Sequence, residues 1–268
     1  VDGKIWNMSN PVFKFMYHYF KKKEKYLFEQ ADCIVTLTEN AKAYIAKEFQ
    51  TKNKFLVVPC CVDFEHFDFN TITDTQVMKL QSEIGISKES YILTYVGSLG
   101  TRYMLREMLA FFKVLKSKKP NAAFLFISKS DTSEIETICY KIDLDYNSIY
   151  IVSCEYHEIP TYISIGDASI FFIVTSFSGK AVSPTKQAEV MSLGLPIIAN
   201  SGLGDTDLIL KETQNGVILN SFTDDAYAVA AKELLNMKKG KGEIRSGAKQ
   251  FFTLDSGIEK YDSIYKYC

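Results

Sequence analysis

An excess of charge of either sign is absent from this sequence: 31 Lys and Arg against 32 Asp and Glu give a formal net charge of −1 over 268 residues, which leaves no global basic field and argues against a nucleic-acid partner. Long hydrophobic runs are missing too. No apolar stretch approaches the roughly 20 residues that cross a bilayer, and no secretory leader is visible, so a cytoplasmic protein is expected. Cysteine is sparse and scattered: Cys33, Cys60, Cys61, Cys139, Cys154 and Cys268 form no C-x-x-C pair. That spacing speaks against a disulfide scaffold and for reduced thiols, with Cys60 and Cys61 read as inert and lacking a matching metal-ligand set. No carboxylate pair suggests a metal site either, so no metal and no cofactor are expected. The three histidines, His18, His66 and His157, stand alone and read as satisfied surface or core residues rather than catalysts. What is present is an ordinary globular composition, 47% hydrophobic and 24% charged, sufficient for one large core or two smaller ones. The first residue is Val1 rather than Met, which raises the expectation of a piece of a longer protein.

Along the chain, helical and strand periods alternate. Residues 11–29, PVFKFMYHYFKKKEKYLFE, follow helical spacing from Pro11 and carry a basic run at Lys21 to Lys23. The reading is a helix packing its aromatics on a core with its lysines in water; an interfacial helix on anionic lipid is the alternative. A strand CIVTLT, a helix AKAYIAKEF and a strand KFLVVP follow. Residues 60–90 read as a polar, partly irregular connection, and a domain boundary is placed near Val62. From Tyr91 the order is regular: strand YILTYV, helix MLREMLAFFKVLKSK, strand AFLFIS, a helix near Glu134 to Lys141, strand IYIVS, helix IPTYISIG and strand ASIFFIV. Later come a helix near Thr206 to Lys211, the strand GVIL and helices to the end. This alternation predicts an α/β fold, a three-layer Rossmann-like parallel sheet covered on both faces. Residues 63–268 suffice for one complete domain, whereas residues 1–62 supply two strands, the tail end of a second.

The stretch Ser183 to Asn200, SPTKQAEVMSLGLPIIAN, holds a turn, a short helix, a glycine break and a strand. Ser183 reads as the N-cap, Pro184 as the first turn, and Gly194 as the stop after about Leu193. Lys186 and Glu189 are three apart and share one helix face. On an arbitrary helix they would form a solvated ion pair of little weight. At the carboxyl end of a parallel sheet, a first-turn lysine suits a phosphate and a glutamate one turn on suits a ribose diol. Gly97 and Gly100, in YVGSLGTRYM, lie between strand and helix, where backbone amides can approach a diphosphate; strand-to-helix turns also carry glycine for geometry alone, and the spacing is not G-x-G-x-x-G. Arg102 is either a further phosphate contact or simply exposed. The turn Gly202 to Asp205 is either a further wall of the same site, at the start of a helix pointing into it, or Asp205 is simply an N-cap.

Together these segments resemble the retaining glycosyltransferases of family 4 (glycosyltransferase group 1), whose GT-B architecture sets two Rossmann-like domains across a cleft. ADCIVTLTENAKAYI and KFLVVPCCVDFEHF look like the last strands of that family's acceptor domain and its linker. YILTYVGSLG resembles the first strand and phosphate loop of its donor domain, and SPTKQAEVMSLGLPIIAN resembles its most telling motif. The resemblance implies one complete donor-binding domain with a partial second domain, and a donor site formed by Gly97, Ser98, Gly100, Arg102, Ser183, Lys186 and Glu189. Glu189 would bind the ribose, Lys186 the diphosphate, and the turn Val152 to Tyr156 the base. It further implies a hexosyltransferase that takes a nucleotide-sugar donor, UDP- or GDP-linked, to a saccharide or lipid-linked acceptor with retention. Cell-surface polysaccharide biosynthesis is the implied setting, with peripheral association at the inner face of the membrane.

The sequence departs from the family at several positions. The first of its two glutamates eight apart falls at Ala181; a subgroup of the form S-P-x-K-x-x-E lacks it, which moves weight onto Lys186. The usual arginine of the phosphate loop falls at Ser98, leaving Arg102 as substitute, and Ser128 stands where glycine is common. The acceptor domain's front half, with its own glycine-rich loop and histidine, has no counterpart here. Two alternatives follow: a donor-binding module without turnover, and a GT-B-fold nucleotide-sugar 2-epimerase, which would need acidic and histidine residues around the sugar that the sequence does not supply.

Overall fold

The structure, a computed structural model, describes residues 8–49 and 53–266, so Val1 and Cys268 lie outside the described residues. Helix α1 (Pro11–Gln30) begins with Pro11 at a position whose N–H would be unpaired anyway, while the Asn10 side chain accepts the Val12 N–H at 2.9 Å. It leads into β1 (Cys33–Thr36), α2 (Glu39–Phe49) and β2 (Lys54–Val57), and the two strands pair in parallel. The expected packing of the α1 aromatics on a core does not occur. No α1 residue is buried, and Phe15, Tyr19 and Phe20 face solvent, because a two-stranded sheet and α2 offer too little apolar surface; Phe28 against Phe49, 4.8 Å between centroids, is its aromatic contact with α2.

The connection read as irregular contains a helix, α3 (Asp74–Ile84). Thr73 and Gln76 close a capping box at its start and Gly85, at φ +86°, ends it; a Thr-x-x-Gln spacing inside a polar stretch was the signal for it. Then come β3 (Tyr91–Val96), α4 (Leu105–Lys118), β4 (Ala122–Ile127), α5 (Ser133–Lys141), β5 (Ile149–Val152), α6 (Ile159–Ser164) and β6 (Ala168–Phe171). The chain continues through α7 (Thr185–Ser192), β7 (Ile197–Asn200), α8 (Thr206–Thr213), β8 (Gly216–Leu219), α9 (Asp224–Leu235), α10 (Lys241–Phe252) and α11 (Leu254–Tyr265). The six strands β3 to β8 form one parallel sheet in the order β5-β4-β3-β6-β7-β8. Every residue of β4 and β6 is buried, as a sheet covered on both faces requires, and Phe111, Phe112, Phe124, Phe126, Phe171 and Phe172 fill its core. The expected α/β architecture is therefore present.

This order reverses between β3 and β6, and open α/β sheets take ligands at the carboxyl ends of the strands flanking such a reversal. The connection from the small sheet is fastened next to that point. Buried Arg245 donates to the carbonyls of Phe67 (2.5 Å), Ser192 (2.6 Å) and Phe64 (2.7 Å) and lies 3.3 Å from the Asp68 carboxylate, tying residues 64–68 to the end of α7. Among the described residues no helix is long and apolar enough to cross a membrane.

Candidate functional site

Lys186, on the first turn of α7, is buried at 9% exposure, which overturns the solvated-pair reading. Its ammonium sits 3.9 Å from the Tyr103 ring centroid and 4.4 Å from that of Tyr95, and donates to the Tyr95 hydroxyl at 3.3 Å. Burial lowers its pKa to about 7, and the field of Glu189 only partly offsets this. No carboxylate forms a salt bridge with it among the described residues, so its protonated form is supported by ring faces and not by a counter-charge.

Gly97 follows β3 at φ +119°, and a Cβ there would lie 3.1 Å from the Lys186 Nζ. Its N–H is taken by the Ile127 carbonyl at 3.0 Å, so Gly97 contributes room rather than a donor. The Ser98 and Gly100 N–H groups meet no protein acceptor among the described residues. Helix α4 begins only at Leu105; before it the chain bridges Tyr103 to Ile173, beyond β6, which lays the Tyr103 ring under Lys186. Arg102 is exposed and joins this arrangement through its carbonyl, which accepts the Val174 N–H at 2.8 Å. The Ser183 expectation needs correction. Pro184 occupies the cap position of α7, and the Ser183 hydroxyl instead accepts the Cys60 N–H at 3.0 Å, joining the motif to the end of the small sheet's connection.

Glu189 is half-buried one turn beyond Lys186. Burial raises its pKa, and the neighbouring Lys186 and His66 draw it back down. His66 is not the satisfied residue that its sequence suggested: its Nε2 is buried without a hydrogen-bond partner, and its ring stacks on Tyr156 at 5.0 Å and 22°. Tyr156 in turn lines a cavity of about 340 Å³ with Gly97, Ser98, Ser128, Ser130 and Cys154. The turns after β3, β4 and β5 thus converge on one recess, beside the buried lysine. Tyr95 and Tyr103 were missed from sequence and His66 was read as satisfied, whereas Tyr156 ends the turn that the family resemblance had already linked to the base.

The loop between β6 and α7 closes the other side. Asn200 pairs its side chain with both backbone groups of Ile173, at 2.8 and 3.0 Å, and the Gly204 N–H donates to the Gly179 carbonyl at 2.8 Å. Asp205 precedes α8 but does not cap it. Its carboxylate accepts the Glu39 and Asn40 N–H groups, at 2.6 and 3.2 Å, and so caps α2 of the small sheet. A second cavity, about 320 Å³, lies along this junction between Thr38, Phe55, Pro59, Val182, Gln187 and Leu208. Ala181 is exposed and provides no side-chain donor, and His18 and His157 lie on the surface.

The folded chain is similar to sucrose-phosphate synthase from Thermosynechococcus elongatus at a TM-score of 0.74, with 17% identity, over 93% of this chain and 61% of that one. It is similar to Anabaena Alr3699/HepE, solved with UDP and glucose, at 0.69, with 12% identity, over 98% and 70% respectively. In sequence it is 21% identical over 213 residues to EpsD of Bacillus subtilis (strain 168), covering 79% of this chain and 53% of that protein. The chain therefore spans about half the length of that curated relative. The model of the family "Glycosyl transferases group 1" matches residues 77–251, from within α3 to the last turn of α10 and including Gly97, Tyr103, Lys186 and Glu189, and the chain belongs to that family.

Proposed function

We propose that this chain carries the donor site of a retaining, family 4 glycosyltransferase, which moves a hexose from a UDP- or GDP-sugar to a saccharide or lipid-linked acceptor in cell-surface polysaccharide biosynthesis. The observation that carries this reading is Lys186: a buried side-chain amine without a carboxylate salt bridge among the described residues, at the sheet's reversal point and opposite Gly97. Negative charge builds on the diphosphate as the bond to the sugar breaks, and a fixed cation in a site of low dielectric stabilises that charge more than water would. Glu189 accepts the ribose hydroxyls, the free Ser98 and Gly100 amides and Arg102 meet phosphate oxygens, and the recess beside Tyr156 takes the base. Lys186 supplies the counter-charge, so turnover is expected to survive EDTA. UDP is the first nucleotide to try, since HepE was solved with it. Isothermal titration of UDP and GDP into the wild type, Lys186→Ala and Glu189→Ala tests the assignment. Weakened binding in both variants is expected, and equal affinity in all three would sink it.

A second reading concerns the 268 residues by themselves: a donor-binding module without turnover, because GT-B catalysis uses both walls of the cleft. It is favoured by the exposed apolar residues of α1 and by the greater length of the relatives. Sugar transfer by these residues alone would rule it out. The same helix sets Lys22, Lys23 and Lys25 among exposed Tyr19, Phe20 and Tyr26, which suits peripheral association with anionic lipid. Co-sedimentation with phosphatidylglycerol vesicles that persists in a Lys22→Glu, Lys23→Glu, Lys25→Glu variant would remove that part.

A further inference from the structure

We infer that Tyr95 and Tyr103 are positioning residues: their rings seat the Lys186 ammonium for a diphosphate, and the Tyr95 hydroxyl locks the loop after β3 to that seat. This rests on the reading of Lys186 as a diphosphate ligand. Lysine is long and flexible, and a buried one is stable in one place only if something replaces its water. A carboxylate would do so and would also cancel the charge that an anionic ligand needs. Two ring faces, 3.9 and 4.4 Å from the Nζ, support the ammonium while leaving its net charge intact. One of its three N–H groups goes to the Tyr95 hydroxyl, so two remain for phosphate oxygens. The direction in which they can leave is the Gly97 side, where the absent Cβ would have stood 3.1 Å from the nitrogen.

The Tyr95 hydroxyl does a second task with its own proton. It accepts from Lys186 and donates to the Ser98 carbonyl, while the other side of that same peptide unit, the Leu99 N–H, donates to the Ser130 hydroxyl at 3.2 Å. A planar peptide held at both ends cannot rotate freely. Its carbonyl oxygen is thereby engaged by protein and turned from an incoming anion, and the loop takes one shape only when lysine, tyrosine and serine are all in place. Tyr95 belongs to a buried strand and Tyr103 to a loop, so the sheet supplies a rigid half of the seat and the bridge to Ile173 fixes the other.

The test uses the full 268-residue chain, with UDP by isothermal titration and uridine by ligand-observed NMR, on the wild type, Tyr103→Leu, Tyr103→Phe, Tyr95→Phe, Lys186→Ala and the Tyr103→Leu/Lys186→Ala double variant. Loss of a desolvated cation–π contact should make Tyr103→Leu bind UDP about 5- to 30-fold more weakly. Uridine affinity should not change, Tyr103→Phe should restore UDP binding, and the double variant should be no weaker than Lys186→Ala. The pH above which UDP binding declines should also move lower in Tyr103→Leu, which a merely structural role would not produce. Tyr95→Phe keeps the ring and is expected to lose UDP affinity several-fold at an unchanged unfolding temperature. Should Tyr103→Leu fold poorly, Tyr103→Met keeps the length of an apolar chain without a π face. The inference is overturned if Tyr103→Leu and Tyr103→Met bind UDP as the wild type does, if the Tyr103→Leu loss adds in full to that of Lys186→Ala, or if uridine is lost in proportion. Undiminished UDP binding by Lys186→Ala would instead remove the donor-site reading beneath it.

Discussion

Binding of a diphosphate should draw a proton onto the protein, and the amount follows from Lys186. Its pKa is about 7 in the unliganded fold because burial disfavours the ammonium. A diphosphate beside it favours the charged form and raises that pKa again. At pH 8 the free site is then about one-tenth protonated and the occupied site nearly fully so, giving an uptake of about 0.9 proton per UDP bound; at pH 7 the figure is about 0.5. The same linkage fixes the direction of the affinity change. Binding weakens as pH rises above 7, by about fivefold, or about 1 kcal/mol, between pH 7 and pH 8. Isothermal titration at pH 8 in two buffers of different ionisation enthalpy reads the uptake directly from the difference in observed heat. Lys186→Ala should bind weakly and take up nothing. Lys186→Arg should also take up nothing, because a guanidinium is always charged. Zero uptake by the wild type at pH 8, or the same uptake in Lys186→Ala, would refute the reasoning.

Three further outcomes concern the fold. Because a base with a lowered native pKa binds fewer protons folded than unfolded between about pH 7 and the ordinary 10.5, stability rises with pH across that window and the charge is a burden below it. Lys186→Met should therefore stabilise the protein at pH 6, by as much as about 5 kcal/mol, with a gain that shrinks towards pH 10 in calorimetric unfolding. Asp205→Ala removes the acceptor for two amides of α2 and should lower stability by about 1–2 kcal/mol, with faster hydrogen exchange at Glu39 and Asn40; unchanged exchange there would count against the cap. Arg245→Met leaves the carbonyls of Phe64, Phe67 and Ser192 without their donor and should cost about 2–4 kcal/mol in urea unfolding, with Arg245→Lys giving little rescue because an ammonium cannot reach three carbonyls in fork geometry.

The residues show why some of this was legible in the sequence. Strands β3, β4 and β6 are runs without polar alternation, which is what burial on both faces demands, so their places were readable. Lys186 and Glu189 sit one turn apart, and local spacing alone puts them on one helix face. The partners of Lys186 obey no local rule. Tyr95 is 91 residues away and reads as one more apolar strand position; only the placement of β3 beside β6 brings its hydroxyl to the lysine. Tyr103 depended on a loop bridge to Ile173, His66 on a connection pinned by Arg245, and Asp205 on the N-terminus of a helix from the other sheet. α3 was hidden for a different reason: its buried side is small, and its polar composition outweighed a capping box that was present in the sequence.

α1 and Lys186 break the ordinary rules in opposite ways. α1 exposes Phe15, Tyr19 and Phe20, aromatics that an apolar surface would normally cover. Lys186 buries a charge that water would normally hold, and here rings take the place of water. Both arrangements work against folding in isolation, and a sequence tolerates such conflicts most readily where binding relieves them. The relief differs in kind. An apolar partner surface would satisfy α1 at any pH, whereas only an anion satisfies Lys186, and it does so by restoring the proton that burial removed. That is why proton uptake, rather than affinity alone, distinguishes a diphosphate site from a recess that merely fits a nucleotide.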